Sequence, residues 1–425
     1  MSKPYTTLLG KTVRAIAKLR GGGSALPGLF VEKIDPHFVA DTLKQLPHGV
    51  VVISGTNGKT TTTKMVTELL QGQGLRVFTN STGSNFIRGV AAALLGEVDI
   101  KGKLDADIAV LELDEAHAVH FVQTIAPRYS LLLNVMRDQL DRFGEIDTTA
   151  KMLAAIATRT THGVVLNRED PHIAPLAKDV LNSKKQAVYF GLNPELTHLF
   201  PSDEELRSGP KTVKKQPIAD VILESFTDDE ASFKIDITKY TTPLKLQGVY
   251  NIFNAAAALA LVRLIVGKDC DTKQLIASLA EVTPAFGRGE KLTIGGQPLE
   301  LVLVKNPSGF RLGLSSFPAA NYATMIAIND NYADGRDMSW LWDVEFESLR
   351  ETGVSQVTGI RAYDMALRLQ YDEIEVSQVN PDIKEALRHF LSQQASQPKR
   401  IYCTYTAMLA LRRELAKITD VEAIA

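Results

Sequence analysis

Cysteine is scarce in this 425-residue chain: only Cys270 and Cys403 occur, far apart in sequence. Two thiols so placed exclude a disulfide framework and give no metal-ligand spacing. Net charge is scarce as well, at a formal −2, whereas nucleic-acid partners demand a basic surface. The start carries no apolar core of signal-peptide length, and no run reads as long enough to cross a bilayer. A cytoplasmic location is therefore expected. Internal repeats and low-complexity tracts are not apparent. What remains is 45% hydrophobic and 23% charged, the balance of a globular protein. The length exceeds a single core, so two or three domains are expected. Alternating strand and helix patterns predict an α/β fold, with parallel sheets covered by helices on both faces.

The most informative stretch runs from Val50 to Thr63. An unbroken apolar run (Val50 to Ile53) meets a turn bracketed by Gly55 and Gly58, and then Met65, Leu69 and Leu70 recur at helical spacing. That order predicts a buried parallel strand, a phosphate-cradling loop and a helix N-terminus. Glycine lets the backbone N–H groups of Gly55, Thr56, Asn57 and Gly58 close on phosphate oxygens, and the helix dipole favours the negative charge. Lys59 would reach the terminal phosphates, the Thr60 hydroxyl would hold Mg²⁺, and Thr61 extends the ATP-binding set. Ile53 stands where the common P-loop has its first glycine. A lysine followed by four threonines is nevertheless a poor choice for a turn that binds nothing.

A second apolar strand, Ile108 to Leu113, ends in Asp114-Glu115. Glu112 lies within the apolar pattern, where an unpaired carboxylate is costly to bury; Mg²⁺ coordination at the sheet's carboxyl edge would offset that cost. A solvent-facing acidic cluster is the alternative. The strand Arg76 to Asn80 precedes Ser81-Thr82-Gly83-Ser84-Asn85, which either lines the acceptor side of the cleft or merely connects strand to helix. Ser130 to Asn134 is a further strand, running on into Arg137-Asp138-Gln139-Leu140-Asp141. Asn251 and Asn254 open a small-residue helix, and Arg288, in Gly287-Arg288-Gly289, stands at a hinge where a guanidinium suits phosphate oxygens. After it a new α/β pattern begins: a strand from Leu299 to Val304, Lys305-Asn306-Pro307, and a strand into Asn331-Tyr332-Ala333-Asp334-Gly335-Arg336-Asp337. That turn reads as functional or as a glycine-rich surface loop. Upstream of Pro47, Leu8, Val13 and Ile16 alternate with Lys11, Arg14 and Lys18, a basic amphipathic helix that suits an anionic membrane surface or packs as an ordinary surface helix.

Gly55-Thr56-Asn57-Gly58-Lys59-Thr60-Thr61 resembles the ATP loop of the Mur ligase superfamily. Asp114-Glu115, the stretch from Arg137 to Asp147 and Lys305-Asn306-Pro307 are similar to one branch of it, the MurT-type subunits of lipid II isoglutaminyl synthase. The likeness runs from Ala25 to Met408. It implies a Mur ligase-like central ATPase domain over residues 47–287, with an irregular insertion at about 192–220. An N-terminal segment (1–46) would precede it, and a C-terminal Rossmann-like α/β domain (288–425) would follow. It implies ATP and Mg²⁺ as cofactors, with Lys59 and Glu112 catalytic, and Thr60, Glu112 and Gln139 as metal ligands. Gln139 stands where the superfamily has a histidine, and a glutamine carbonyl is a weaker, uncharged ligand. Asn251 matches the asparagine that contacts adenine, with Asn254 capping or packing, and Arg288 matches a phosphate contact. Typical members carry a four-cysteine zinc ribbon; here the matching segment has no cysteine, and no zinc site is expected. A carbamylated lysine, used by some relatives, has no confident match, although Lys151 lies nearby.

The implied reaction belongs to peptidoglycan biosynthesis: amidation of the D-glutamate α-carboxyl in the lipid II stem peptide, through an acyl phosphate. The ammonia would come from a GatD-like glutaminase, heterodimeric with this chain, and Asp337 would complete that partner's catalytic triad. The lipid substrate would bring the protein to the inner face of the plasma membrane. From the residues alone only an ATP-dependent carboxylate–amine ligase follows. An amino-acid ligase of the Mur or folylpolyglutamate type and a non-catalytic nucleotide-binding subunit are the rival readings.

Overall fold

A computed structural model of the chain describes residues 4–19, 26–80, 87–136, 146–200, 216–227, 229–246, 248–283, 288–316, 319–393 and 397–421. Two sheets organise it. The first contains β1 (Val50–Ser54), β2 (Val77–Thr79), β3 (Ile108–Glu112), β4 (Tyr129–Leu132), β5 (Gly163–Asn167), β6 (Gln186–Leu192), β7 (Val221–Phe226), β8 (Glu230–Ile235) and β9 (Thr238–Pro243). Their order is β2-β3-β1-β4-β5-β6-β7-β8-β9. β1 lies between β3 and β4, parallel to both, and every one of its residues is buried. Strands covered on both faces become continuous apolar runs, which is why Val50 to Ile53 shows no alternation. The strand order reverses about β1, the place where open α/β sheets gather ligands at their carboxyl ends.

The second sheet contains β10 (Arg288–Ile294), β11 (Gln297–Leu303), β12 (Ala323–Ala327), β13 (Gln356–Thr358) and β14 (Lys399–Cys403), in the order β10-β11-β14-β12-β13. Its faces carry separate apolar clusters, one around Phe310, Phe346 and Tyr402, the other around Met325, Phe390 and Met408. Both sheets are mixed rather than wholly parallel. β7, β8 and β9 pair antiparallel, as do β10 and β11. Tight turns cause this: Asp236 takes φ 54° between β8 and β9, and Gly295 and Gly296 take φ 57° and 81° between β10 and β11. Two adjacent glycines with positive φ are what a two-residue hairpin requires.

The helices Pro4–Leu19 and Leu26–Ile34 pack on each other and on the helix Ile87–Glu97. A Cβ at Gly28 would lie 1.9 Å from the Arg88 carbonyl oxygen, so only glycine permits that approach. Val31, Phe38 and Leu43 share an apolar cluster with Val50 and Leu111. One sequence reading needs correction. The span Val249–Asp269 is long and apolar enough, by composition, to cross a membrane. It is nonetheless 67% buried, packed against the helix Lys59–Gly72 and strands β5 to β7.

Candidate active site

At the end of β1 the chain turns through Gly55 (φ 141°) and Gly58 (φ 87°) into the helix Lys59–Gly72. Gly58 is needed twice over: its φ disfavours side chains, and a Cβ there would meet Asn254 Nδ2 at 2.4 Å. Asn254, buried at 6% exposure, thus packs against the loop. The Lys59 ammonium donates to the carbonyls of Gly55 (2.5 Å) and Thr56 (3.2 Å) and lies 3.5 Å from Glu115 Oε2. The Thr60 hydroxyl donates to Glu112 Oε1 at 2.8 Å. Asn80 fixes Glu112 through its backbone, donating to its carbonyl (2.8 Å) and accepting from its N–H (2.9 Å). Thr61 is buried with Thr62 and Thr63, the placement of a packing residue.

The loop is clamped from β4. Asn134 Oδ1 accepts from the Asn57 N–H (2.8 Å), and its Nδ2 donates to the Asn57 carbonyl (3.0 Å). The Thr56 hydroxyl accepts from the Met136 N–H at 3.1 Å. Asp170, whose carboxyl burial pushes above the usual range, accepts from the Val135 N–H at 2.6 Å. Asn306 reaches the loop from the second sheet. Its Oδ1 accepts from the Gly309 N–H (2.6 Å), capping the helix Pro307–Ser316, and its Nδ2 donates to Asn57 Oδ1 (3.4 Å). Beside this contact a cavity of about 420 Å³ opens between the sheets, with Met136, Leu199 and Tyr250 on one side and Ser308, Arg311 and Leu312 on the other. Asn251 follows Tyr250, half-buried at the start of the helix Val249–Val266.

The residues present fit a hard cation. A hydroxyl and a carboxylate oxygen 2.8 Å apart at the end of a strand are the donor types Mg²⁺ takes. Gln139 lies outside the described residues, as does the turn 81–85; Arg288 opens β10, with its side chain undescribed. Lys151 is exposed. Cys270 is half-buried and Cys403 buried in β14, where burial raises its thiol strongly. Among the described residues no group of three or more His, Cys, Asp and Glu side chains is arranged to hold a metal.

Asp337 stands apart from the ATP loop. It follows β12, which is separated from β11 by β14, so about 10 Å of sheet lies between the two strand ends. Half-buried, it accepts from the Ser339 N–H at 2.9 Å, within its own turn. The carboxylate that anchors this turn is Asp334, at 6% exposure. It accepts from the Thr406 N–H (2.7 Å), the Thr406 hydroxyl (2.5 Å) and the Asn331 N–H (3.1 Å). Sequence reasoning grouped Asp334 with Asp337 and gave it no role of its own. Asn80 and Asn134 were read only as strand ends. Each follows an apolar strand, which is the available signal, yet nothing in the sequence says which backbone groups it holds.

The chain matches the family model described as Mur ligase middle domain over residues 53–262 and the one described as MurT ligase C-terminal over residues 303–408. The lipid II isoglutaminyl synthase (glutamine-hydrolyzing) subunit MurT of Streptococcus pneumoniae is 31% identical, across 96% of each chain. Among solved structures, a pseudomurein peptide ligase type C from Methanothermus fervidus aligns with a TM-score of 0.67 and 18% identity, over 89% of this chain and 80% of that one. MurF ligase from Thermotoga maritima, in complex with ADP, aligns with a TM-score of 0.62 and 19% identity, over 89% of this chain and 83% of that one.

Proposed function

This chain belongs to the MurT family of Mur ligase-like proteins, and from that premise we propose that it is the ATP-dependent subunit of a lipid II isoglutaminyl synthase. It would amidate the α-carboxyl of D-glutamate in the lipid II stem peptide to D-isoglutamine. The observation that carries the ligase reading is the cluster at the end of β1: Lys59 held over the glycine turn, with Thr60 and Glu112 joined at 2.8 Å beside it. The backbone N–H groups of residues 55 to 58 and the helix N-terminus would bind ATP phosphates, and Lys59 would stabilise the transferring phosphoryl group. Asn251 and Arg288 would complete the nucleotide site. Mg²⁺, when bound, would neutralise charge on the phosphates and polarise the group transferred. Thr60 and Glu112 would hold it, with Gln139 a further candidate ligand.

In this reaction a carboxylate oxygen attacks the γ-phosphorus of ATP and ADP leaves. Ammonia then attacks the acyl carbon, loses a proton, and displaces inorganic phosphate to leave the amide. The ammonia would come from a GatD-like glutaminase, and Asp337 would orient that partner's histidine and stabilise its cationic form. We take residues 47–287 as the ATPase domain and 288–425 as the C-terminal domain, working at the cytoplasmic face of the membrane that holds the lipid substrate. The test is to incubate the purified protein with ATP, Mg²⁺, lipid II and ammonium, with and without the glutaminase. Amidated lipid II and ADP in equal amounts are expected; ATP turnover that needs an amino acid instead of ammonium would sink the proposal.

A further inference from the structure

The helix Pro4–Leu19 is turned inside out relative to an ordinary surface helix. Thr6 and Thr7, at 1% and 0% exposure, lie with Gly10 on its buried side, whereas Leu8 and Leu9 are 61% and 45% exposed. An amphipathic helix normally turns its leucines to the core and its threonines to water. Close approach accounts for the small residues beneath. A Cβ at Gly10 would stand 2.7 Å from a Leu95 methyl and 2.8 Å from Val31, and Arg14 lies against Gly96 in the same way. Nothing inside the fold accounts for the leucines outside. The helix Leu26–Ile34 repeats the pattern. Val31 is buried, while Phe30 and Ile34, four residues apart and so on one face, are exposed with Lys33. Both helices pack on each other and on the helix Ile87–Glu97, so the sides turned away from that helix form one outer face. Large apolar residues grouped on such a face mark an interaction surface.

Charge says what kind of surface would meet this face. Residues 1–34 carry six basic side chains and one acidic one, Glu32, in a chain whose formal net charge is −2. Glu32 is already paired with Arg88 at 2.7 Å. Lys33 is exposed beside Phe30 and Ile34, and Lys11 is half-buried one turn on from Leu8. Apolar side chains ringed by lysine and arginine are the two signals that together hold a protein on an anionic bilayer, where either alone is marginal. The position also suits the chemistry. Arg88, on whose carbonyl Gly28 rests, stands in the first turn of the helix that follows β2, and Asn80 at the end of β2 fixes Glu112. The two helices therefore adjoin the carboxyl edge at which the ATP loop lies.

We infer that the outer face of these two helices, with Leu8, Leu9, Phe30 and Ile34 at its centre and Lys11 and Lys33 around them, docks on the surface of an anionic lipid bilayer. The four apolar side chains enter the boundary between head groups and acyl chains, and the lysines meet lipid phosphates. This rests on the reading of the preceding section for its purpose, since a lipid-borne substrate is reached by staying on the membrane that holds it.

The experiment mixes the full chain with vesicles that contain no lipid II, made of phosphatidylcholine alone or of phosphatidylcholine with phosphatidylglycerol, and reads binding by co-sedimentation. Wild type should bind the anionic vesicles about tenfold better than the neutral ones, and salt should weaken that binding. Leu8→Gln/Leu9→Gln and Phe30→Gln/Ile34→Gln should each reduce it about tenfold, with melting temperature held. Lys11→Gln/Lys33→Gln should reduce it on anionic vesicles alone. Ile237→Gln, at an exposed position on the β8–β9 turn, should change nothing. Amidation of lipid II embedded in vesicles should fall with binding, while amidation of lipid II dispersed in detergent stays unchanged. Equal binding to neutral and anionic vesicles, or undiminished binding by both apolar variants, overturns the inference. So does wild-type chain that self-associates in the ultracentrifuge while the leucine variant is monomeric, since a second copy would then cover the face. The vesicles hold no substrate, so the two readings fail separately: binding without amidation sinks the ligase reading, and amidation without binding sinks this one.

Discussion

The carboxyl edges of the two sheets make opposite use of the same architecture. At the edge of the first, polar side chains are spent on one another: Asn134 grips Asn57, Asn80 grips Glu112, Thr60 meets Glu112, and Lys59 rests on its own loop. These side chains are held in place before a ligand arrives, which suits an edge that must place phosphate oxygens closely and lose little to reorganisation. At the edge of the second, Asp334 is the side chain tied down, while Asp337 accepts from one backbone N–H of its own turn and stays half-exposed. On the proposed reading, that edge presents the Asp337 carboxylate to a partner. The comparison teaches that a pre-formed pocket and a pre-formed display need the same anchoring, applied to different residues.

The sharpest way to break the comparison is Asp337→Asn. If the second edge only displays, glutamine-dependent amidation should fall about 10⁴-fold, the scale on which a triad fails when its imidazole is held in the wrong tautomer. Ammonium-dependent amidation should change less than about twofold, because the ATP edge is untouched. Equal loss with both nitrogen sources, in a variant that still binds the glutaminase, would place Asp337 in this chain's own cleft.

Lys59→Ala attacks the other edge. Loss of one pre-placed donor to developing phosphoryl charge is worth about 10²- to 10³-fold, and here both nitrogen sources should suffer alike. Removing Lys59 also leaves the buried Glu115 carboxylate without its 3.5 Å partner, so Lys59→Ala/Glu115→Gln serves as the stability control. Near-normal ATP turnover in either variant would remove the phosphate-loop argument.

Asn306 is where the edges meet, and Asn306→Asp isolates that contact. Aspartate keeps the Oδ1 cap on Gly309 but removes the Nδ2 donor to Asn57. A net hydrogen bond of this kind is worth about 1 kcal/mol, so KM for ATP should rise about fivefold with melting temperature held. No change in KM would mean that the second domain approaches the loop without helping to set it.

Much of this was legible in the sequence, and the rest failed for identifiable reasons. The β1 loop is local: strand, glycines, lysine and helix lie within fourteen residues, so pattern alone specifies them. Glu112 was readable because a carboxylate in an apolar run is an anomaly that needs an explanation. The antiparallel margins were missed although Gly295-Gly296 signals a hairpin, because the first strand read in the second domain was Leu299 to Val304. Asn254 against Gly58, Asn134 on Asn57 and Asp334 on Thr406 are pairings across 196, 77 and 72 residues; pairing at such separations leaves no local periodicity. The long buried helix shows the converse. Its composition passes for a membrane span, and only tertiary packing tells otherwise.

The smallest effect concerns the anchors themselves, an amide at the first edge and a carboxylate at the second. Asn134 does not titrate, so its own grip on Asn57 is indifferent to pH. Asp334 does titrate, and burial, with Asp330 adding charge of the same sign, holds its carboxyl above the usual range. Donors from Thr406 and Asn331 pull it back only in part. The sign follows from linkage: a folded-state pKa above the unfolded value makes the protonated form the stabilising one. That contribution is fully present below the unfolded carboxylate value near 3.8 and is lost as pH rises through the folded value. Asp334→Asn, which has no proton to lose, should flatten this component of the stability curve. Across the acid side of neutrality wild type should therefore lose stability relative to the variant as pH rises. Urea titrations at stepped pH would measure it. Asn134→Asp, by contrast, introduces a charge that cannot donate to the Asn57 carbonyl, and its cost should grow as pH rises through the carboxylate range. Parallel pH curves for wild type and Asp334→Asn would show that the second edge is held by packing rather than by its buried carboxylate.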